Sequence, residues 1–147
     1  EEALFLIANR IYRPSYISFE SALFYYGIIP EGVYRITSAT AKKTTVFNTW
    51  LGEFVYGSIK PQLMFGYALV PYQNQNICMA DKEKTLLDYL YMNSDVKTEI
   101  DLAEKRMNRQ VIKEKFDMEK FDKYLSMFAN KQLTKRANKL LEFINHA

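Results

Sequence analysis

The chain reads as an α+β domain. Apolar residues recur at helical spacing near its start and through its last third, while the stretch between alternates β-branched and aromatic residues with short polar turns. At 147 residues it has the length of one domain with one core. The expected order is N-terminal helices, a mainly antiparallel sheet, and a helical C-terminal third packed on that sheet.

Residues 1–9 place Leu4, Phe5 and Ala8 on one helix face with no capping residue ahead of them, so 1–12 reads as the tail of a helix from an earlier segment. Pro14 interrupts regular structure. Ser18 is the expected N-cap of a helix over 19–26, with Glu20 in its first turn. Gly27 suits a left-handed stop in which Ile28 folds back on Leu23, a Schellman motif. After Ile29-Pro30-Glu31-Gly32, strands are expected over 33–37, 45–50, 53–59, 63–70 and 76–79. The links are too short for crossover helices, which predicts mainly antiparallel pairing.

Asp81 is the next expected N-cap, with Glu83 in the first turn and Leu86, Leu87, Leu90 and Tyr91 on one face. Residues 95–116, with Ile100, Ala103 and Met107 as apolar positions, suit a charged surface helix. Asp117 caps a helix bearing Met118, Phe121, Leu125 and Phe128. The last helix carries Leu133, Ala137, Leu140, Leu141 and Ile144, and the two pair around Ala129-Asn130.

A hydrophobic content of 48% against 25% charged residues excludes a disordered chain. The 11 Tyr and 10 Phe are expected to fill a sheet core rather than form an exposed patch. Cys78, the one cysteine, lies in an apolar run and cannot form an internal disulfide, which points to a reducing compartment. No run approaches the ~20 apolar residues of a membrane helix. Glu1-Glu2 lacks the positive charge of a signal peptide, so a cytoplasmic protein without a membrane partner is expected.

No motif assembles a catalytic centre. The single histidine, His146, sits at a terminus expected to fray, and Cys78 has no basic neighbour in sequence to activate it. One Cys and one His cannot complete a zinc site, and five scattered glycines form no phosphate-cradling loop. Catalytic residues, metal and cofactor are therefore all expected to be none. A metal-dependent nuclease-like enzyme is the rival reading, and it requires Glu53, Asp81 and Glu83 to converge, with Lys84 beside them. Capping and macrodipole charge already account for Asp81 and Glu83.

The basic residues carry more. Lys131, Lys135 and Lys139 recur every fourth residue opposite Leu133, Ala137 and Leu140, with Arg136 flanking, so a positive stripe should face outward to a nucleic-acid backbone or a partner. Arg35, Lys42 and Lys43 are expected as a second patch at the end of the first hairpin. A net charge of +3 and a pI near 8.8 permit DNA contact without demanding it.

Read as a string, Arg13-Pro14-Ser15-Tyr16-Ile17-Ser18-Phe19-Glu20-Ser21-Ala22-Leu23 followed by Tyr25-Tyr26-Gly27-Ile28-Ile29-Pro30-Glu31 resembles AbiEi-family antitoxins, proposed transcriptional regulators of type IV abortive-infection toxin-antitoxin systems. In order come Thr37-Ser38-Ala39-Thr40 with Lys42-Lys43, Phe47-Asn48-Thr49, Gly66-Tyr67 and Ala80-Asp81-Lys82-Glu83-Lys84-Thr85-Leu86-Leu87-Asp88. The resemblance covers about residues 12 to 92 well and the C-terminal helices more loosely. It implies an N-terminal winged-helix domain ahead of a body like this one, in an operon with a nucleotidyltransferase-like toxin. That winged helix is not in this sequence. Operator DNA would be read through it, and the toxin would be countered without a stable complex. An oligomerisation module of a regulator, with exposed Tyr and Phe, is the remaining alternative, and a homo-oligomer fits either case.

Overall fold

The change of periodicity after Gly32 marks the entry to a sheet. A computed structural model describes residues 2–32 and 34–146 and gives, in chain order, α1 (Glu2–Ile11), β1 (Ser15–Ile17), α2 (Phe19–Tyr25), β2 (Arg35–Thr40), β3 (Thr45–Thr49) and β4 (Gly52–Ser58). A 3₁₀ turn (Pro61–Leu63) leads to β5 (Tyr67–Tyr72) and β6 (Gln75–Ala80). Five helices follow: α3 (Lys82–Met92), α4 (Glu99–Glu104), α5 (Arg109–Lys115), α6 (Met118–Phe128) and α7 (Lys131–Asn145). The protein is α+β, with its C-terminal helices on the sheet.

The six strands run in the order β3-β4-β2-β1-β6-β5. Three pairings are antiparallel, β1 with β2, β3 with β4 and β5 with β6, while β2–β4 and β1–β6 are parallel. The sheet is thus mixed. A short link excludes a helical crossover, but it does not stop β3 from stepping one place outward so that β4 returns between β3 and β2. The link 41–44 needs to span two strand spacings, ~10 Å, which four residues reach easily.

Each sheet face has its own core. Phe5 and Ala8 of α1 pack on Ile17, Ile36, Phe54, Tyr56, Ile77 and Met79. On the opposite face Tyr16, Ala39 and Ala80 lie under α3, and Phe121, Phe128, Leu133, Leu140 and Phe143 of α6 and α7 complete that layer. Burying one such large side chain stabilises the fold by ~1.5–3 kcal/mol, so both layers contribute substantially. α1 is thereby built into this body. Most of the aromatic rings fill these cores as expected, whereas Trp50, expected to end a strand, stands 92% exposed in the β3–β4 turn.

Local stops follow their chemistry. Gly27 adopts φ +75°, Ile28 N–H donates to Leu23 O at 2.8 Å and Gly27 N–H to Phe24 O at 3.0 Å, the Schellman pairing anticipated from sequence. Asp81 and Asp117 cap α3 and α6 by accepting the N–H groups of Lys84 and Lys120. Ser18 occupies the N-cap of α2 but makes no cap bond, because its hydroxyl donates to Asp88 instead.

Four expectations are corrected. The first expected strand, 33–37, begins at Val33, which lies outside the described residues, and the observed strand runs Arg35–Thr40. The apolar run 63–70 is a strand only from Tyr67, since Pro61 opens a turn and Gly66 takes φ +74° where a Cβ would stand 2.9 Å from Lys84 Cγ. Residues 95–116 form two short helices whose buried positions are Leu102 and Ile112, with Met107 buried between them and Phe116 just after the second, while Ile100 and Ala103 face solvent. Of the apolar side chains expected along α6 and α7, Phe121, Phe128, Leu133, Ala137, Leu140 and Ile144 are buried, Leu125 and Leu141 half-buried and Met118 exposed. No helix among the described residues is long and apolar enough to cross a membrane.

Candidate nucleic-acid interface

α7 owes its orientation to its two chemistries. Asn130 caps it by accepting Leu133 N–H at 2.9 Å, and Leu133, Ala137, Leu140, Phe143 and Ile144 bury its apolar face. The three lysines Lys131, Lys135 and Lys139 are consequently directed outward, all exposed. Lys135, Arg136 and Lys139 line a cleft of about 440 Å³ with Lys97, Gln132 and Asn138. Four cations and two amides, with no carboxylate in the wall, make a surface that attracts an anionic backbone and offers it hydrogen-bond donors. Lys131 lies apart from this cleft, in an adjoining depression with Leu125, Asn130 and Thr134 that Lys135 also borders.

The basic residues are not equivalent. Arg136 Nε donates to Leu90 O at 3.0 Å and so satisfies a carbonyl at the C-terminal end of α3. Partial burial draws its guanidinium below the usual range, as expected for a cation committed to a structural contact. Lys139 Nζ lies 3.4 Å from Glu142, an exposed pair that leaves it free to exchange partners. Lys97 escaped the sequence reading because its loop lacks periodicity. Its place is set by the Thr98–Asp101 capping box: Asp101 accepts the N–H groups of Lys97 and Thr98, and these bonds hold its carboxyl below the usual value. The Thr98-x-x-Asp101 spacing was the available signal.

The second expected patch does not form. Arg35 begins β2 and pairs with Glu53 at 3.2 Å, whereas Lys42 and Lys43 follow the other end of that strand, ~20 Å away at ~3.3 Å per residue. Lys42 instead lies over the Tyr12 ring, 5.0 Å from its centre, and Lys43 offers its carbonyl to Tyr12 Oη.

The nuclease-like constellation is not assembled. Glu53 lies on β4, three strand spacings or ~14 Å from the β6 end that leads to Asp81. Asp81 accepts a hydrogen bond from Tyr124 Oη at 2.7 Å, and Glu83, fully buried, accepts Asp117 N–H at 2.8 Å. Among the described residues no group of His, Cys, Asp and Glu is placed to hold a metal. Cys78, expected to be buried, is half-buried, and burial raises its thiol. His146, exposed at the C-terminal end of α7, lies 2.8 Å from Glu99 of α4.

The sequence reading also missed a buried polar centre. Lys84 and Asp88, both 0% exposed, pair at 2.8 Å within α3. Lys84 Nζ donates further to Tyr16 Oη and Leu63 O, and Tyr16 and Ser18 hydroxyls donate to Asp88. The rings of Tyr16, Phe65 and Phe128 surround the ammonium at 5.1, 4.6 and 5.3 Å. Burial draws Lys84 down and pushes Asp88 up, and each partner's charge opposes that. Both are sealed from solvent, so the centre organises the core and offers no substrate access. No protein family, curated protein or solved structure matches the chain.

Proposed function

We propose that this chain is the body of a regulatory antitoxin, working in the cytoplasm by binding and not by catalysis, with the cleft along α7 as its contact surface for an anionic backbone. The observation that carries the reading is the convergence of Lys97, Lys135, Arg136 and Lys139 on one wall, where the one neighbouring carboxylate is Glu142 in an exposed pair with Lys139. The ordered resemblance to AbiEi antitoxins from Arg13 through Asp88 supplies the biological setting. In that setting operator DNA is read by a winged-helix domain outside this sequence, and the body adds sequence-independent phosphate contacts. The link to a nucleotidyltransferase-like toxin is functional and needs no stable complex.

Coexpression of this chain with such a toxin tests the proposal. Rescue from growth arrest by the wild-type chain, lost when Lys97, Lys135 and Lys139 are changed to Glu in a protein that still folds, is the expected result. A folded wild-type chain that gives no rescue, while a winged-helix domain alone does, would overturn it. The exposure of Trp50 and Tyr34 favours a second reading, an oligomerisation module. A concentration-dependent mass in light scattering, abolished by Trp50→Ser, would select that alternative.

A further inference from the structure

β1 and β6 run side by side but share register at a single pair, Ile17 with Met79. Toward the start of both strands they part, and Asn9 of α1 fills the ladder's place: its carboxamide donates to Cys78 O at 3.2 Å and accepts Cys78 N–H at 2.6 Å. Beside the parting lies an open, wedge-shaped depression of about 440 Å³, walled by α1, the linker to β1 and the edges of β5 and β6. Arg10, Arg13, Ser15, Tyr67 and Asn76 supply its polar lining, and Leu6 and Met64 apolar wall.

Three features mark this wedge as a site. Its lining contains two guanidinium groups and no carboxylate. Arg10 is held only by the neutral Gln75 side-chain carbonyl, and among the described residues neither Arg10 nor Arg13 pairs with an acid. Tyr67 stacks on the buried Tyr16 ring, with centres 4.9 Å apart and planes at 18°, and Tyr16 is in turn fixed by Lys84 and Asp88. Tyr67 is therefore a preorganised aromatic platform.

We propose that the wedge binds a small ligand of the nucleoside-phosphate class. Two arginines recognise a phosphate, arginine doing so bidentately, and a ring backed by a second ring offers a base a stacking surface. The volume falls within the ~300–1,000 Å³ of small-molecule sites. The site is separate from the α7 cleft and does not rest on the antitoxin reading.

Calorimetric titration of the full chain with inorganic phosphate, adenosine and adenosine 5′-monophosphate tests this. The nucleotide should bind at least tenfold more tightly than either fragment. Arg10→Gln with Arg13→Gln should weaken it at least tenfold, and Tyr67→Leu should reduce it to the level of phosphate. The Lys131, Lys135 and Lys139 charge reversals should leave it unchanged. A 5′-phosphorylated dinucleotide that binds more tightly than the mononucleotide would identify a strand end as the source, and equal or weaker binding the free nucleotide. No heat with millimolar nucleotide, binding indifferent to the arginine pair, or binding lost with the α7 lysines would each overturn the proposal.

Discussion

α3 and α7 carry charged residues at the same spacing with opposite consequences. Lys84 and Asp88, four apart on α3, are sealed in the core, whereas Lys131, Lys135 and Lys139, four apart on α7, stand in water. The charged spacing alone does not separate the cases. The apolar residues between do: α7 confines them to one stripe, while α3 buries every residue from Glu83 to Leu90 and is enclosed all round. A charge inside an enclosed helix must find partners, and Tyr16, Ser18 and the Leu63 carbonyl are those partners.

The sharpest test alters the charges of each set. Asp88→Ala strands a buried ammonium and should cost ~3–5 kcal/mol in urea unfolding, while Lys84→Met with Asp88→Leu should cost clearly less than either single change. A single-site loss of about 1 kcal/mol or less, the scale of an exposed pair, would erase the contrast. On α7, changing the three lysines to Glu should move stability by about 0.5 kcal/mol or less. The same change should weaken duplex DNA binding for all sequences alike and reduce the slope of log affinity against log salt by about 2–3. An unchanged slope would reduce the stripe to a solvated face.

Within α7 the contrast repeats on a smaller scale. Arg136→Ala, which frees the Leu90 carbonyl, should cost ~1.5–3 kcal/mol, whereas Lys135→Ala should be close to neutral. The gentlest probe is alkaline pH. Burial pushes Tyr56 and Tyr89 up to about 12, so both phenols stay neutral in the fold while their unfolded counterparts ionise. Their contribution is complete below pH ~10 and is lost as pH rises toward 12, and Tyr56→Phe should flatten that decline.

What was legible in the sequence is what local chemistry decides. Gly27 needed only its own backbone freedom to announce the stop of α2, and Asp81 and Asp117 needed only the N–H groups three residues on. The outward face of α7 followed from its narrow apolar stripe. Long-range partners were not legible. Ser15–Ile17 is too short to show alternation, and its strand character comes from β2 and β6 on either side. The parallel β2–β4 pairing depends on where β3 lands, and Lys84 reads as a surface residue until Phe65 and Phe128 arrive from elsewhere in the chain. Lys97 joined the cleft by the same route, carried there by the packing of α7 against α3 and α4.

The single shared pair between β1 and β6 gives the sheet a seam. Mechanically it is two leaves, β3-β4-β2-β1 and β6-β5, each knitted by continuous ladders and stitched to the other at Ile17 and Met79. α1 lies across the stitch as a tie, touching β1, β2 and β6 and holding Cys78 through Asn9. Six consecutive pairings join β2 to β4 and one joins β1 to β6, so cohesion along this line falls to α1 and to the side chains packed across it, among them Tyr16 against Tyr67.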